Sequence, residues 1–170
     1  ANQYKRLGEV MIYENGEWNN IKNGELVQSA GMPIYDIMNV AQDPLDANHY
    51  FLTTFGSGVI EMRGDSVETI YLPDNSTLKS AVPTDPISYT RTDGAMYDEQ
   101  GNLWMLNMGI TDGNIQILSP DGTWTAYDLL HKGLPVTLHT AGEIMVDRRN
   151  PQWKWIPLLR YNTGLILLQD

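Results

Sequence analysis

Short apolar and alternating segments, separated by glycine-containing turns, run along most of the chain. In its middle, Leu103–Leu106 is a continuous apolar run, and Asn114–Leu118 alternates polar with apolar residues. Both patterns are typical of β-strands with buried faces. Pro120–Gly122 has the residues of a tight turn, and the segment after it is rich in threonine and aromatic residues. The pattern predicts a four-stranded antiparallel meander, with strands at 94–98, 103–106, 114–118 and 123–127.

The same order of features recurs about every 50 residues. A glycine opens each third strand, with intervals of 50, 55 and 51 residues between Gly8, Gly58, Gly113 and Gly164. The second strands carry Phe51, Trp104 and Trp155, and an aspartate ends each first strand at Asp43, Asp98 and Asp147. Such a repeat is typical of a β-propeller blade, whose sheet needs a neighbouring blade on either face. We therefore predict an all-β fold of β-propeller blades.

The repeats divide the chain, predicted to be a single propeller segment, into a half blade, two complete blades and a three-stranded partial blade. These units are 1–22, 35–72, 94–128 and 142–168, joined by a loop at 23–34 and a polar connection at 73–93. The arc amounts to about three to three and a half blades, whereas closed propellers have roughly four to eight. We expect a piece of a longer propeller; a small self-closing propeller, or a ring completed by a second copy, are the alternatives.

Composition and charge argue against several classes of function. The chain has no cysteine, which excludes disulfides, thiolate zinc sites and cysteine nucleophiles. Its net charge of −10 argues against nucleic acid and anionic lipid as partners, because both attract basic surfaces. The sequence contains no apolar segment of about 18 residues, the length that a membrane-spanning helix requires. We therefore expect no nucleic-acid partner and no membrane insertion.

The turn before the second strand carries a resemblance to known families. The motif Asp98-x-x-Gly101-Asn102-Leu103-Trp104, followed by a glycine and an apolar strand, resembles the two-component regulator propeller repeat. That repeat is common in the extracytoplasmic sensor halves of Bacteroidetes hybrid histidine kinases. A closer likeness is to the periplasmic propeller proteins of the type IX secretion system. It covers about residues 8–168 and rests on the segments 40–44, 55–59, 74–78, 101–104 and 118–124.

Both resemblances imply a non-enzymatic module in the periplasm or outside the cell. The sensor family implies ligand sensing, and the secretion family implies recognition of a glycan or lipopolysaccharide, or docking of a protein partner. Neither implies a cofactor. The alternative is a propeller enzyme of the streptogramin-lyase type, whose blades carry a similar turn and whose chemistry uses a histidine and a metal-binding glutamate. Trp104 is followed by Met105-Leu106-Asn107, without the acidic residue of that family, and we therefore expect no enzymatic activity.

Propeller geometry predicts where a ligand would bind. The loops from second to third strands, and from fourth strands to the next blade, gather on one face around the channel. Aromatic and arginine side chains there would suit a sugar or an anionic headgroup, through stacking and bidentate hydrogen bonds. The alternative is that Arg160 and Tyr161 simply end a strand. The predicted ligand-binding residues are Arg91, Asn107, Asp112, His139, Arg160 and Tyr161.

Other ionisable residues have simpler interpretations. The histidines, at positions 49, 131 and 139, are expected to be solvated or hydrogen-bonded. A metal site would need a third ligand, such as Glu143 or Asp128, so no metal site is predicted. The pair Asp43 and Asp46 could suggest acid–base chemistry, but the proline after Asp43 favours a turn capped by aspartate side chains.

Overall fold

The computed structural model describes residues 4–128, 142–158 and 164–169, and within them the regular secondary structure is mainly β-strand. The half blade and the first blade consist of β1 (Val10–Glu14), β2 (Glu17–Ile21), β3 (Ile37–Gln42), β4 (His49–Gly56), β5 (Val59–Arg63) and β6 (Ser66–Tyr71). The second blade and the partial blade consist of β7 (Thr90–Tyr97), β8 (Leu103–Met108), β9 (Ile115–Leu118), β10 (Trp124–Tyr127), β11 (Met145–Val146), β12 (Trp153–Leu158) and β13 (Gly164–Gln169). The described residues also contain two helices, α1 (Asn23–Ala30) and α2 (Pro86–Tyr89).

Each blade is an antiparallel meander in which consecutive strands pair. The strands follow one another as β3-β4-β5-β6 in the first blade, β7-β8-β9-β10 in the second and β11-β12-β13 in the partial blade. The end of β4 also pairs with β7, through Phe55 with Arg91 and Gly56 with Thr90. This pairing joins the first and second blades into one eight-stranded sheet. The predicted fold class, an all-β partial propeller, is confirmed.

Three apolar cores lie between successive units, because the side chains of each second strand alternate between its two faces. In β4, Tyr50 and Leu52 pack toward the half blade, whereas Phe51 packs toward the second blade. In β8, Leu103 and Met105 point back toward the first blade. Its other face, with Trp104 and Leu106, meets Ile144, Ile156 and Ile166 of the partial blade. Each inner blade face is thus shielded from solvent by the neighbouring unit.

Two of the four aligned glycines occupy matching backbone positions. Gly58 and Gly113 both precede a third strand and both have a φ of +72°, a conformation that disfavours any residue with a Cβ. A Cβ at Gly58 would also lie 2.1 Å from the carbonyl oxygen of Tyr71. Gly8 and Gly164 are not in this conformation, and Gly8 lies two residues before β1. All four glycines thus stand at or just before the start of their strands, as aligned, but only the two middle ones share the left-handed conformation.

The segment 23–34, predicted to be a loop, contains the helix α1 instead. Its start is fixed by Glu25, whose carboxylate accepts the backbone N–H of Lys22 at 2.7 Å. It ends at Gly31, whose left-handed conformation lets its N–H reach the carbonyl of Val27. Leu26 is fully buried, and the hydroxyl of Ser29 accepts the N–H of Val67 on the edge strand β6. The helix thus covers part of an edge that would otherwise be unpaired.

The first strand of the second blade begins earlier than predicted. Residues 73–93 were expected to be one polar connection, but they contain α2, and β7 already starts at Thr90. Asp85 caps α2 by accepting the N–H of Ser88, and Pro86 takes the first helical position. Residues 90–93 are polar and therefore did not resemble a buried strand. Their side chains can be buried because internal hydrogen bonds satisfy them, as when the hydroxyl of Thr92 bonds the carbonyls of Thr54 and Gly58.

Candidate functional site

An aspartate with the same hydrogen bonds stands at the corner between the first and second strands of each blade. The side-chain oxygen Oδ1 accepts the backbone N–H two residues later, at 2.8 Å in Asp43, 2.9 Å in Asp98 and 2.8 Å in Asp147. These are the aspartate-capped turns expected for the first blade. Because neighbouring strands are antiparallel, the three turns lie at the same end of the blades. The loops from second to third strands lie at the opposite end.

Asp98 is the most completely bonded of the three. Its Oδ2 accepts the indole N–H of Trp104 at 2.7 Å and the side-chain amide of Asn102 at 2.8 Å. Burial alone would raise the pKa of Asp98, but these hydrogen bonds outweigh it and hold the pKa below its ordinary value. In the first blade Phe51 replaces the tryptophan, and His49 supplies the bond to Asp43 instead, at 2.9 Å.

A groove with a volume of about 940 Å³ opens at this end of the blades. Its aromatic wall is formed by Phe51, Tyr71 and Tyr97, with the Phe51 ring 6.5 Å from that of Tyr71 and 6.4 Å from that of Tyr97. Turns of all three blades complete its rim. Besides the tyrosines, seven side chains that can carry charge line the groove: Asp43, His49, Glu61, Asp98, Glu99, Asp147 and Arg148.

His49 joins two carboxylates on the wall of the groove. Its Nδ1 lies 2.9 Å from Asp43 and its Nε2 lies 2.9 Å from Glu61. Burial disfavours the charged imidazole, but the hydrogen bonds to both carboxylates outweigh it and raise the pKa of His49 above its ordinary value. Burial likewise opposes ionisation of Asp43, whose bonds to His49 and Leu45 nevertheless lower its pKa. His49 is therefore a hydrogen-bonded histidine, as expected for this class of residue.

Two tyrosines bring phenolic hydroxyls to the same carboxylates. The hydroxyl of Tyr71 donates to Glu61 at 2.8 Å. Burial, followed by that hydrogen bond, raises the pKa of Tyr71. Burial also raises the pKa of Tyr97, and the charges of Asp43 and Glu61 raise it further. The charge of Glu61 thus acts on both tyrosines of the aromatic wall, and that of Asp43 acts on Tyr97.

One group of side chains near the groove has the composition of a metal site. His49, Glu61 and Glu68 each offer one ligand atom, and these atoms lie within 4.8 Å of one another. All of them have other partners, since His49 bridges two carboxylates, Glu61 also accepts from Tyr71, and Glu68 pairs with Arg63 at 2.9 Å. A metal ion would have to displace these bonds, and the group fits a hydrogen-bonded network better than a vacant ligand set.

The ligand-binding residues predicted from the sequence lie at the other end of the blades where the structure describes them. Arg91 lies over the rings of Phe55 and Tyr89, at 4.9 Å and 5.4 Å. Asn107 is fully buried, and its amide bonds the backbone of Lys79 in both directions and also the carbonyl of Arg91. Asp112 is half-exposed and pairs with Lys79. His139, Arg160 and Tyr161, like His131, lie outside the described residues.

These contacts give Asn107 a structural role, since its oxygen and its amide group are occupied in attaching the 73–89 connection to β8. The groove residues could not be identified from the sequence, because Phe51, Tyr71 and Tyr97 resemble ordinary core aromatics. One signal could have located them. The aspartates that end each first strand occupy one repeat position, and their turns must therefore converge at one end of the propeller.

Comparison with known proteins supports this architecture. No protein-family model matches the sequence, the propeller repeat of two-component regulators included, and no curated protein matches it. A solved structure of PorZ matches with a TM-score of 0.79 and 20% sequence identity, over 95% of this chain and 21% of that one. The chain thus spans about a fifth of PorZ, an essential bacterial surface component of the type IX secretion system of Porphyromonas gingivalis. At this identity the likeness establishes a shared fold, that of a β-propeller segment.

Proposed function

We propose that the chain is a non-enzymatic binding and scaffolding module of a bacterial cell-surface assembly, in the periplasm or outside the cell. It recognises a glycan, a lipopolysaccharide or a protein partner, and it does so in the groove between the first and second blades. The observation that carries this proposal is the groove itself, an open volume of about 940 Å³ whose wall combines aromatic rings with carboxylates. Ligand sites in proteins commonly combine an apolar wall with a few polar groups in this way.

A further observation supports the proposal. The PorZ structure, whose fold this chain shares, is that of a bacterial surface component, which favours an extracytoplasmic place for the chain. No helix in the described residues is long and apolar enough to cross a membrane. Further blades, from a longer chain or from a second copy, are proposed to cover the two outer blade faces.

The test measures binding to each partner class and locates it with matched charge reversals. The purified chain is titrated with a glycan library, with lipopolysaccharide and with surface proteins from a bacterium that has a type IX system. Glu99→Lys reverses an exposed charge in the groove, and Asp112→Lys reverses a half-exposed charge at the opposite end. We expect only Glu99→Lys to change the affinity. An effect of Asp112→Lys alone would favour the loops around Arg91, and binding to none of the three classes would overturn the proposal.

One observation favours a second candidate, a metal-assisted propeller enzyme. The ligand atoms of His49, Glu61 and Glu68 lie close enough to share an ion. A thermal-shift titration with Zn²⁺, Mn²⁺ and Mg²⁺ tests it, with His49→Ala as the variant. Stabilisation by an ion that disappears in the variant would support the enzyme; an unchanged melting temperature would leave the binding module as the only candidate.

A further inference from the structure

The charges of the groove are unbalanced. Five carboxylates line it, those of Asp43, Glu61, Asp98, Glu99 and Asp147, against the two basic groups of His49 and Arg148. Asp98 and Asp147 are committed to the turns and the indoles below them. Asp43 and Glu61 keep side-chain exposures of 23% and 16%, and Glu99 is exposed on the rim. His49 bridges Asp43 and Glu61, but five carboxylates against two basic groups still leave the groove with an excess of negative charge.

The aromatic wall lies beside that charge. Tyr71 and Tyr97 are both partly exposed and flank Phe51, and the carboxylates of Asp43 and Glu61 act on the hydroxyl of Tyr97. An aromatic face next to carboxylates attracts an ammonium or guanidinium group twice, through the ring quadrupole and through the ion pair. The same arrangement repels a phosphate or a carboxylate, because a like charge would have to be desolvated against it.

We propose that the groove binds an extended peptide segment carrying lysine or arginine, with one cationic side chain placed between Tyr97 and the pair Asp43 and Glu61. The inference rests on the proposed function and names the ligand class for the same groove. The volume of about 940 Å³ exceeds what one side chain fills, and it accommodates several residues of a chain. A neutral glycan would satisfy the aromatic wall but would leave the negative charge without a partner.

The experiment compares three blocked peptides of one length with a neutral sugar. The probes are acetyl-Gly-Lys-Gly-Arg-Gly-amide, its versions with glutamine or glutamate at the two charged positions, and maltohexaose. Binding is followed by amide chemical-shift changes in the whole chain, which report the affinity and the place of contact together. We expect only the Lys/Arg peptide to bind at the groove, with a dissociation constant that rises with salt. Glu99→Lys is expected to weaken it about tenfold or more, whereas Asp112→Lys changes it less than about twofold.

Each outcome separates the two proposals. Equal weakening by both charge reversals would mean attraction to the acidic surface as a whole, and it would overturn the inference. Binding of maltohexaose in the groove without the cationic peptide would overturn the peptide class but retain the proposed function. Shifts at the loops around Arg91 for every bound probe would overturn both. No binding by any of the four probes would overturn the peptide class, and the proposed function would then be decided by its own test with the glycan library, lipopolysaccharide and surface proteins.

Discussion

At the scale of single residues, the blades share an arrangement of hydrogen bonds more than a sequence motif. The corner aspartate holds its own turn through backbone N–H groups, and in two blades it also holds the indole of the second strand. The indole bond is 2.7 Å long at Trp104, where Asp98 is 7% exposed, and 3.3 Å at Trp155, where Asp147 is more accessible. The same residue type therefore contributes differently in the two blades.

Replacement of these aspartates by alanine should show that difference. Asp98→Ala leaves the buried indole N–H of Trp104 and the amide of Asn102 without their acceptor, and we expect a loss of about 2–3 kcal/mol in the free energy of unfolding. Asp147→Ala, the matched control at the same repeat position, should cost less because water can reach its donors. Urea denaturation monitored by tryptophan fluorescence measures both. Equal losses would mean that the corner turn, and not the indole bond, carries the stability.

Asp93 on the inner strand β7 is the acidic group that the fold least accommodates. Burial, and to a smaller extent the charge of Glu143, raises its pKa from 3.8 to about 6. Because the folded state binds this proton more tightly than the unfolded chain, the protonated carboxyl of Asp93 contributes to stability at low pH. This contribution falls as the pH rises from about 4 to about 6, and it stays lost above that.

The isosteric variant Asp93→Asn removes that titration. We expect it to unfold at higher urea than the natural chain at pH 7.5, with a gain of about 1–2 kcal/mol after allowance for solvent screening. At pH 4 the two proteins should be equally stable. The measurement is a set of urea titrations between pH 4 and 8, in which the difference between the two proteins isolates Asp93 from His49 and the other titrating groups. A difference that does not change with pH would contradict the assignment.

At the scale of elements, the chain enters the third strand of the first blade in close contact with the fourth strand. Gly58 and Gly122 both have positive φ, at +72° and +84°, but only Gly58 would bring a Cβ against backbone, 2.1 Å from the oxygen of Tyr71. Gly122→Ala pays only for the left-handed conformation, about 1–2 kcal/mol. Gly58→Ala must also push β5 and β6 apart, and we expect about 3 kcal/mol or more. Thermal unfolding compares them; equal melting temperatures would show that the close approach relaxes freely.

Most strands of the described residues could be predicted from the sequence because their faces differ. The continuous apolar run at the start of β8, the alternation in β9 and the turn residues at Pro120–Gly122 gave positions within a few residues of the observed ones. The helix α1 could not be predicted from periodicity, since it is only eight residues long and buries a single leucine, Leu26, completely. The start of β7 was hidden by polar residues whose partners are distant in sequence, as Thr92 is from Thr54.

The candidate site was much less predictable than the fold. The predicted loops do come together where they are described, with Arg91 stacked on Phe55, but Asn107 proves to be occupied by the backbone around it. The groove depends on Tyr71 and Tyr97, which belong to different blades, and on a histidine that stands where another blade has Asn102. Such a site arises from the differences between repeats, whereas repeat alignment finds what they share.

At the scale of the whole molecule, and among the residues that the structure describes, the two outer blade faces lack the cover that the inner faces have. The free face of the half blade carries Met11, Tyr13 and Trp18, which are 63%, 61% and 67% exposed. On the partial blade, Leu165 and Leu167 are 58% and 41% exposed on the face opposite to the core residue Ile166. Inside the molecule, equivalent faces pack on one another as front against back. The same packing between molecules would join the half blade of one copy to the partial blade of the next.

We therefore expect the chain alone to self-associate in a concentration-dependent manner, as measured by size-exclusion chromatography with light scattering. Trp18→Lys and Leu165→Lys should each abolish most of the association, because a front-to-back contact needs both faces. Leu45→Lys, a matched change at a leucine that is 95% exposed in a turn, should leave association unchanged.

A mixture of the two interface variants distinguishes the geometries, since each retains the face that the other has lost. Dimers that form only in the mixture indicate front-to-back stacking. Association abolished by Trp18→Lys but unaffected by Leu165→Lys would show instead that half blades pair with each other, and a monomer at all concentrations would contradict the expectation altogether.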